Sequence, residues 1–183
     1  MITYNLSTGK NIHIIDDIFT MSQVMTFEGF ANGCLYRLLH SVDSYMSKSN
    51  GERFFGSMLS DVDVKSLGIF ETAGFTSLSG MFNNKKIMRS WILCTAPSTK
   101  YLYHTDDTDN SSLTMLYYIN GYWHPEWGGE TIFCNDTGEP EIAVACKPNR
   151  IVIFPSNIHH KPTLTTGDSK PRFTFTTTFI NNG

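Results

Sequence analysis

Three short stretches of this 183-residue chain carry residue types that do chemistry. The first is Tyr101-Leu-Tyr-His-Thr-Asp106. At the end of a strand, His104 and Asp106 would project from one face, because side chains alternate with a period of two. An imidazole and a carboxylate side by side can take adjacent positions on a metal. Taken alone, H-x-D is a short pattern that solvated loops also produce. The second stretch runs from Arg150 to His160 as an apolar strand, a Pro-Ser turn and a returning histidine. The return would bring a third ligand, with His159 and His160 competing for the place, since neighbouring strand residues face opposite ways. With His160 the set is two histidines and one carboxylate, a facial triad that suits non-haem iron and leaves positions open. The third stretch is Arg172-Phe-Thr174. A buried arginine beside a metal needs an anionic partner, and its planar fork fits a carboxylate bidentately.

These residues need a scaffold that brings distant segments together. From Lys86 onward, short strands alternate with turn signals every eight to twelve residues. The candidates are 87–93, 101–104, 114–120, 130–134, 142–146, 150–154, 160–163 and 173–180, with turns at 96–98, 107–112, 136–138 and 166–168. Eight such strands predict a mainly β (α+β) double-stranded β-helix, a jelly roll that removes most exposed edges. The earlier residues read as mixed support: a short edge strand at 11–15, strands at 35–40 and 54–59, and two capped helices. Thr20 with Gln23 forms a capping box for the first, which stops at Asn32-Gly33, and 60–70 forms the second. These flanking N-terminal helices should pack outside the sandwich. No repeat or linker divides the chain, so one domain is expected over 1–183, with support in 1–85 and the jelly-roll core in 86–183.

Composition narrows the function. Hydrophobic residues make up 40% and charged residues 17%, which excludes disorder. The net charge of -3 supplies no global field for nucleic acid or anionic lipid. The four cysteines lie far apart with no C-x-x-C pair, which argues against structural zinc and for reduced thiols in a cytoplasmic protein. No signal peptide or membrane-spanning run is expected.

With these residues in view, the sequence resembles the 2-oxoglutarate and Fe(II)-dependent dioxygenases, most closely their prolyl-4-hydroxylase-like branch. The resemblance rests on His104-Thr-Asp106, Leu116-Tyr-Tyr-Ile-Asn120, the segment from Trp123 to Thr131, the return from Phe154 to His160, and Arg172-Phe-Thr174. Together they span about 87–180 in the family order. The resemblance implies that His104, Asp106 and His160 hold Fe(II), and its spacing from Phe154-Pro155 favours His160 over His159. It also implies that Arg172, Tyr118 and Thr174 hold the distal carboxylate of 2-oxoglutarate. O2 would complete the reaction, giving succinate and CO2 while a substrate is hydroxylated, with ascorbate as a reductant. One departure stands out. Several relatives carry a tyrosine nine or ten residues before the H-x-D, where this chain has Cys94 and Thr95.

The expected substrate is a prolyl or other peptidyl residue. The alternatives are a free amino acid or small metabolite, or a non-catalytic metal-binding jelly-roll module. Three protein ligands favour an enzyme, because structural sites tend to be closed by four. Trp123 and Trp127, followed by Gly128-Gly129, either contact substrate or anchor a turn; with 107–112 as a mobile lid, they are expected to border the metal. Asp106-Asp-Thr-Asp109 lacks the ligand spacing of a calcium loop. His124 and Glu130 read as structural.

Overall fold

A computed structural model of the protein describes residues 1–40, 53–97, 99 and 101–182. The order is β1 (Ile2–Asn5), β2 (Asn11–Asp16), α1 (Met21–Gly33), β3 (Arg37–His40), β4 (Arg53–Leu59), α2 (Asp61–Leu67), α3 (Ala73–Thr76) and β5 (Lys85–Thr95). Then follow β6 (Leu113–Tyr118), β7 (Thr131–Cys134), β8 (Pro140–Val144), β9 (Arg150–Pro155), β10 (His160–Pro162) and β11 (Arg172–Asn181). Eight strands form an antiparallel major sheet in the order β1-β2-β9-β6-β11-β5-β4-β3, and β10-β7-β8 form a minor sheet. This is the expected jelly-roll class with few helices.

The major sheet is buried on both faces at its centre, so β6 and β9 read as near-continuous apolar runs rather than alternating ones. One face meets the helices. There Met115, Tyr117, Ile151, Ile153, Phe173 and Phe175 pack with Val24, Phe27 and Ala31 of α1 and with Val64 and Leu67 of α2. The opposite face meets the minor sheet, where Leu116, Tyr118, Val152 and Phe154 pack with Phe133 and Val144. β11 shows the division most plainly: Phe173 and Phe175 turn to the helices, so Arg172, Thr174 and Thr176 turn the other way.

The capping box at Thr20 and Gln23 is present, and α1 ends at Gly33 as expected. Three expectations change. β2 is not an edge, because a hairpin through Gly9 (φ 77°) folds β1 against it. Residues 101–104 form no strand; His104 alone makes an isolated bridge to His160. α2 is shorter than 60–70, because Gly68 in the left-handed conformation (φ 65°) ends it before a 3-10 turn at Ile69–Glu71. Ser98, part of an expected turn, lies outside the described residues.

Candidate active site

His104 and His160 are joined through their backbones: each N–H donates to the other's carbonyl, at 3.0 and 2.9 Å. This pairing sets their rings 4.6 Å apart. Asp106 comes to the same place because its N–H donates to Ser156 O at 2.9 Å, at the end of β9. The H-x-D pair thus converges through two tethers to the 156–160 return rather than through strand alternation. One ligand atom from each of His104, Asp106 and His160 lies within 4.8 Å of the others, the one such group among the described residues.

The protonation pattern suits a cation. His104 Nδ1 lies 3.1 Å from Leu102 O, and His160 Nδ1 lies 2.9 Å from Ile158 O. A carbonyl only accepts, so in the neutral imidazole both Nδ1 atoms carry the proton and both Nε2 atoms present a lone pair. Burial between Phe133 and Phe154 holds His160 well below the ordinary histidine pKa, so that ring is neutral at physiological pH. The Nε2 atoms face Asp106 Oδ1 at 3.9 Å and Oδ2 at 3.6 Å. Lone pairs and a carboxylate thus converge, an arrangement that a metal ion between them stabilises.

A second polar centre lies on the same sheet face. Arg172 is only 3% exposed and has no carboxylate partner among the described residues. Its Nη2 donates to Thr131 Oγ1 at 3.1 Å, its guanidinium carbon sits 5.0 Å from the centre of the Tyr118 ring, and its Nε has no partner among the described residues. The Tyr118 hydroxyl meets Thr131 Oγ1 at 2.8 Å and Val144 O at 3.4 Å. Cys146 packs beside this cluster, and burial pushes its thiol up to about 11 against the opposing pull of Arg172. A buried cation without an anion is costly, so the pocket fits a carboxylate ligand. Thr174 is buried opposite Tyr118 in register, and the next inward threonine, Thr176, has a buried hydroxyl with no partner among the described residues.

Sequence reasoning missed Thr131 and Thr176. Alternation along β11 points to Thr176, whereas nothing in the sequence couples Thr131 to Arg172. Cys94 packs toward the helix-side core, and its neighbour Thr95 pairs with Arg172 across β5 and β11.

The aromatic segment packs between the two sheets, in the cluster that includes Phe133, Phe154 and Ile158. Trp123 is buried and its Nε1 donates to Gly128 O at 2.9 Å. Gly129 (φ 82°) approaches so closely that an added Cβ would lie 3.1 Å from Arg172 Cδ. The segment therefore walls the Arg172 end and anchors the chain there. His124 accepts from Glu126 N–H, and Glu130 accepts from Thr163, both structural contacts. The 107–112 stretch is anchored at both of its ends to Ser156. Asp107 N–H donates to Ser156 O at 3.2 Å, Ser112 Oγ donates to Asp107 at 2.5 Å, and Ser156 N–H donates to Ser112 O at 3.0 Å. His159 lies outside the ligand group, and its carbonyl accepts from Cys134 N–H in the minor sheet.

The model of the 2OG-Fe(II) oxygenase superfamily matches residues 90–180. The chain belongs to this superfamily. Oxygenases of this kind use Fe(II), 2-oxoglutarate and O2, and the His-Asp-His group and buried Arg172 fit that set. No curated protein sequence matches the chain. Among solved structures, a 2OG-Fe(II) oxygenase family oxidoreductase from Burkholderia pseudomallei is 11% identical with a TM-score of 0.69, covering 94% of this chain and 87% of that one. A Trichoplax adhaerens prolyl hydroxylase, solved with a hypoxia inducible factor oxygen degradation domain peptide fragment, is 16% identical with a TM-score of 0.68, covering 96% and 84%. HygX from Streptomyces hygroscopicus, solved with nickel and 2-oxoglutarate bound, is 10% identical with a TM-score of 0.66, covering 93% and 83%.

Proposed function

We propose that this oxygenase hydroxylates a prolyl or other peptidyl residue. The observation that carries the reading is a buried arginine without a carboxylate partner, on the sheet face that also presents a three-ligand group of two histidines and an aspartate. His104 Nε2, the Asp106 carboxylate and His160 Nε2 would hold the iron. Arg172, with Tyr118 and Thr174, would hold the distal carboxylate of 2-oxoglutarate. When bound, iron and cosubstrate supply oxidising power, coupling decarboxylation to succinate and CO2 with hydroxylation of an unactivated C–H bond. The protein's own part is to fix ligand orientation and keep the cosubstrate pocket dry. Phe133 and Phe154 exclude water around His160, and Thr131 orders the Arg172 fork.

An extended substrate is supported by the sheet itself. On the face shared with Thr176, β5 presents half-buried Trp91, and β4 presents Met58, which is 66% exposed. Arg89, exposed on that face of β5, donates to Asp106 O. This leaves an open shelf beside the triad, suited to a chain segment that orients itself through remote contacts. The similarity to a peptide-bound prolyl hydroxylase agrees with that reading. Residues 1–85 then act with 86–183 as one domain, since β1–β4 extend the same sheet. The four cysteines are free, in keeping with a cytoplasmic setting, and no described helix is long and apolar enough to cross a membrane.

The test is anaerobic binding of Fe(II) and 2-oxoglutarate, followed by oxygen-dependent succinate release over peptide and small-molecule panels, with and without ascorbate. Proline-containing peptides should drive succinate release and acquire 16 Da. Free proline or another small metabolite that outperforms every peptide would overturn the peptidyl assignment and leave the oxygenase chemistry in place.

A further inference from the structure

We propose that Thr114 and Ser156 form a buried hydroxyl relay that sets the orientation of the Asp106 carboxylate and thereby the metal affinity and coordination number of the site. The inference rests on the reading of His104, Asp106 and His160 as metal ligands.

Thr114 and Ser156 are both 0% exposed. Thr114 Oγ1 donates to Asp106 Oδ2 at 2.8 Å and meets Ser156 Oγ at 2.9 Å. Thr114 has one proton and gives it to the carboxylate, so Ser156 must be the donor in the second contact. The relay therefore runs in one direction, Ser156 to Thr114 to Asp106. It grips the oxygen that lies 3.6 Å from His160 Nε2, leaving Oδ1, 3.9 Å from His104 Nε2, without a side-chain donor among the described residues. Ser156 also accepts the Asp106 N–H through its carbonyl, so one residue fixes both the backbone and, through Thr114, the side chain of that ligand.

Occupying one carboxylate oxygen disfavours bidentate binding by Asp106. A six-coordinate metal with three single-point ligands keeps three positions free, whereas a bidentate aspartate would leave two. Two positions suffice for a chelating keto acid and leave none for O2. Thr114 and Ser156 are thus positioning residues: they touch neither metal nor cosubstrate and act through Asp106.

Anaerobic titration with Co(II) alone, followed by its visible absorption, tests the relay without turnover. Loss of a partner that orients a metal ligand lowers metal affinity by roughly ten- to a hundredfold. Thr114→Val should show that loss together with a changed Co(II) spectrum, while Thr114→Ser keeps both near wild type. If Thr114→Val does not fold, Thr114→Ala against Thr114→Ser isolates the hydroxyl, because both lack the methyl group. Ser156→Ala should fall between wild type and Thr114→Val. A merely structural role would lower the apo-protein Tm while leaving Co(II) affinity and spectrum unchanged, and that result overturns the relay. Equal affinities for the Ala and Ser variants would overturn it too. His160→Ala binding Co(II) as tightly as wild type would instead defeat the ligand assignment, which separates the two failures.

Discussion

At the scale of single residues, the proposed site divides into atoms that would hold a metal and atoms that would hold an anion, and their losses should look different. His104→Ala, Asp106→Ala and His160→Ala should each abolish turnover and weaken Fe(II) binding, whereas His159→Ala retains most activity. Succinate release and equilibrium metal binding check both halves; an inactive His159→Ala beside an active His160→Ala would reverse the assignment. Arg172→Ala should instead raise the KM for 2-oxoglutarate about ten- to a hundredfold, from the loss of roughly 1.5–3 kcal/mol of charge-assisted hydrogen bonding. Fe(II) affinity should barely move. Thr131→Val removes the acceptor that orders Nη2 together with the partner of the Tyr118 hydroxyl, and a cost of about 1 kcal/mol corresponds to about a fivefold rise in the same KM.

At the scale of elements, β2 and β9 are fastened by charge as well as by their ladder. Arg150 donates to both oxygens of Asp16, at 2.7 and 2.9 Å, and Lys147 adds a contact at 2.9 Å. The Arg150 hydrogen bond is the largest influence that takes the Asp16 carboxyl from an ordinary 3.8 down to about 2. A depressed carboxyl pKa stabilises the fold fully above about pH 4, and the gain is lost as pH falls toward 2. With partial solvent exposure, the contribution should be about 1 kcal/mol. Asp16→Asn should lower Tm by about 2–4 °C near pH 6, and the difference should vanish at the acid end of a calorimetric series. The elements also show what was readable beforehand. Seven of the eight strands expected after Lys86 are present, because apolar runs between turn residues mark strands wherever packing is local and regular. The exception, 101–104, is positioned by bridges to a return some 55 residues later, and no local pattern encodes such tethers. The same holds for β1 and for Thr131: pairing partners and hydrogen-bond partners are tertiary facts. Arg172 and the H-x-D, seen here as a buried arginine and two members of a three-ligand group, were legible because residue type and short spacing mark them. The aromatic segment was legible as a motif, but its location at the Arg172 end depends on the close approach of Gly129.

At the scale of the whole molecule, one sheet serves two cores. The helix-side core stabilises without touching the chemistry. Phe27 of α1 packs edge-on against Phe19 and Tyr117, 5.1 and 5.9 Å between ring centres. Phe27→Ala should cost about 3–5 kcal/mol, seen as a lower denaturant midpoint. Whatever remains folded should bind Co(II) with wild-type affinity, because His160 packs on Phe133 and Phe154 across the other face. Coupled losses would show that the faces are not independent. The backbone of Ser156 meets Asp106, Asp107 and Ser112, and its side chain meets Thr114, so the site is complete only where β6 and β9 are paired and the chain has returned through residue 160. Contacts this distant in sequence cost loop-closure entropy that local contacts do not. Without these tethers the proposed metal ligands have nothing to bring them together, so the proposed capacity to activate oxygen belongs to the finished enclosure that would direct it.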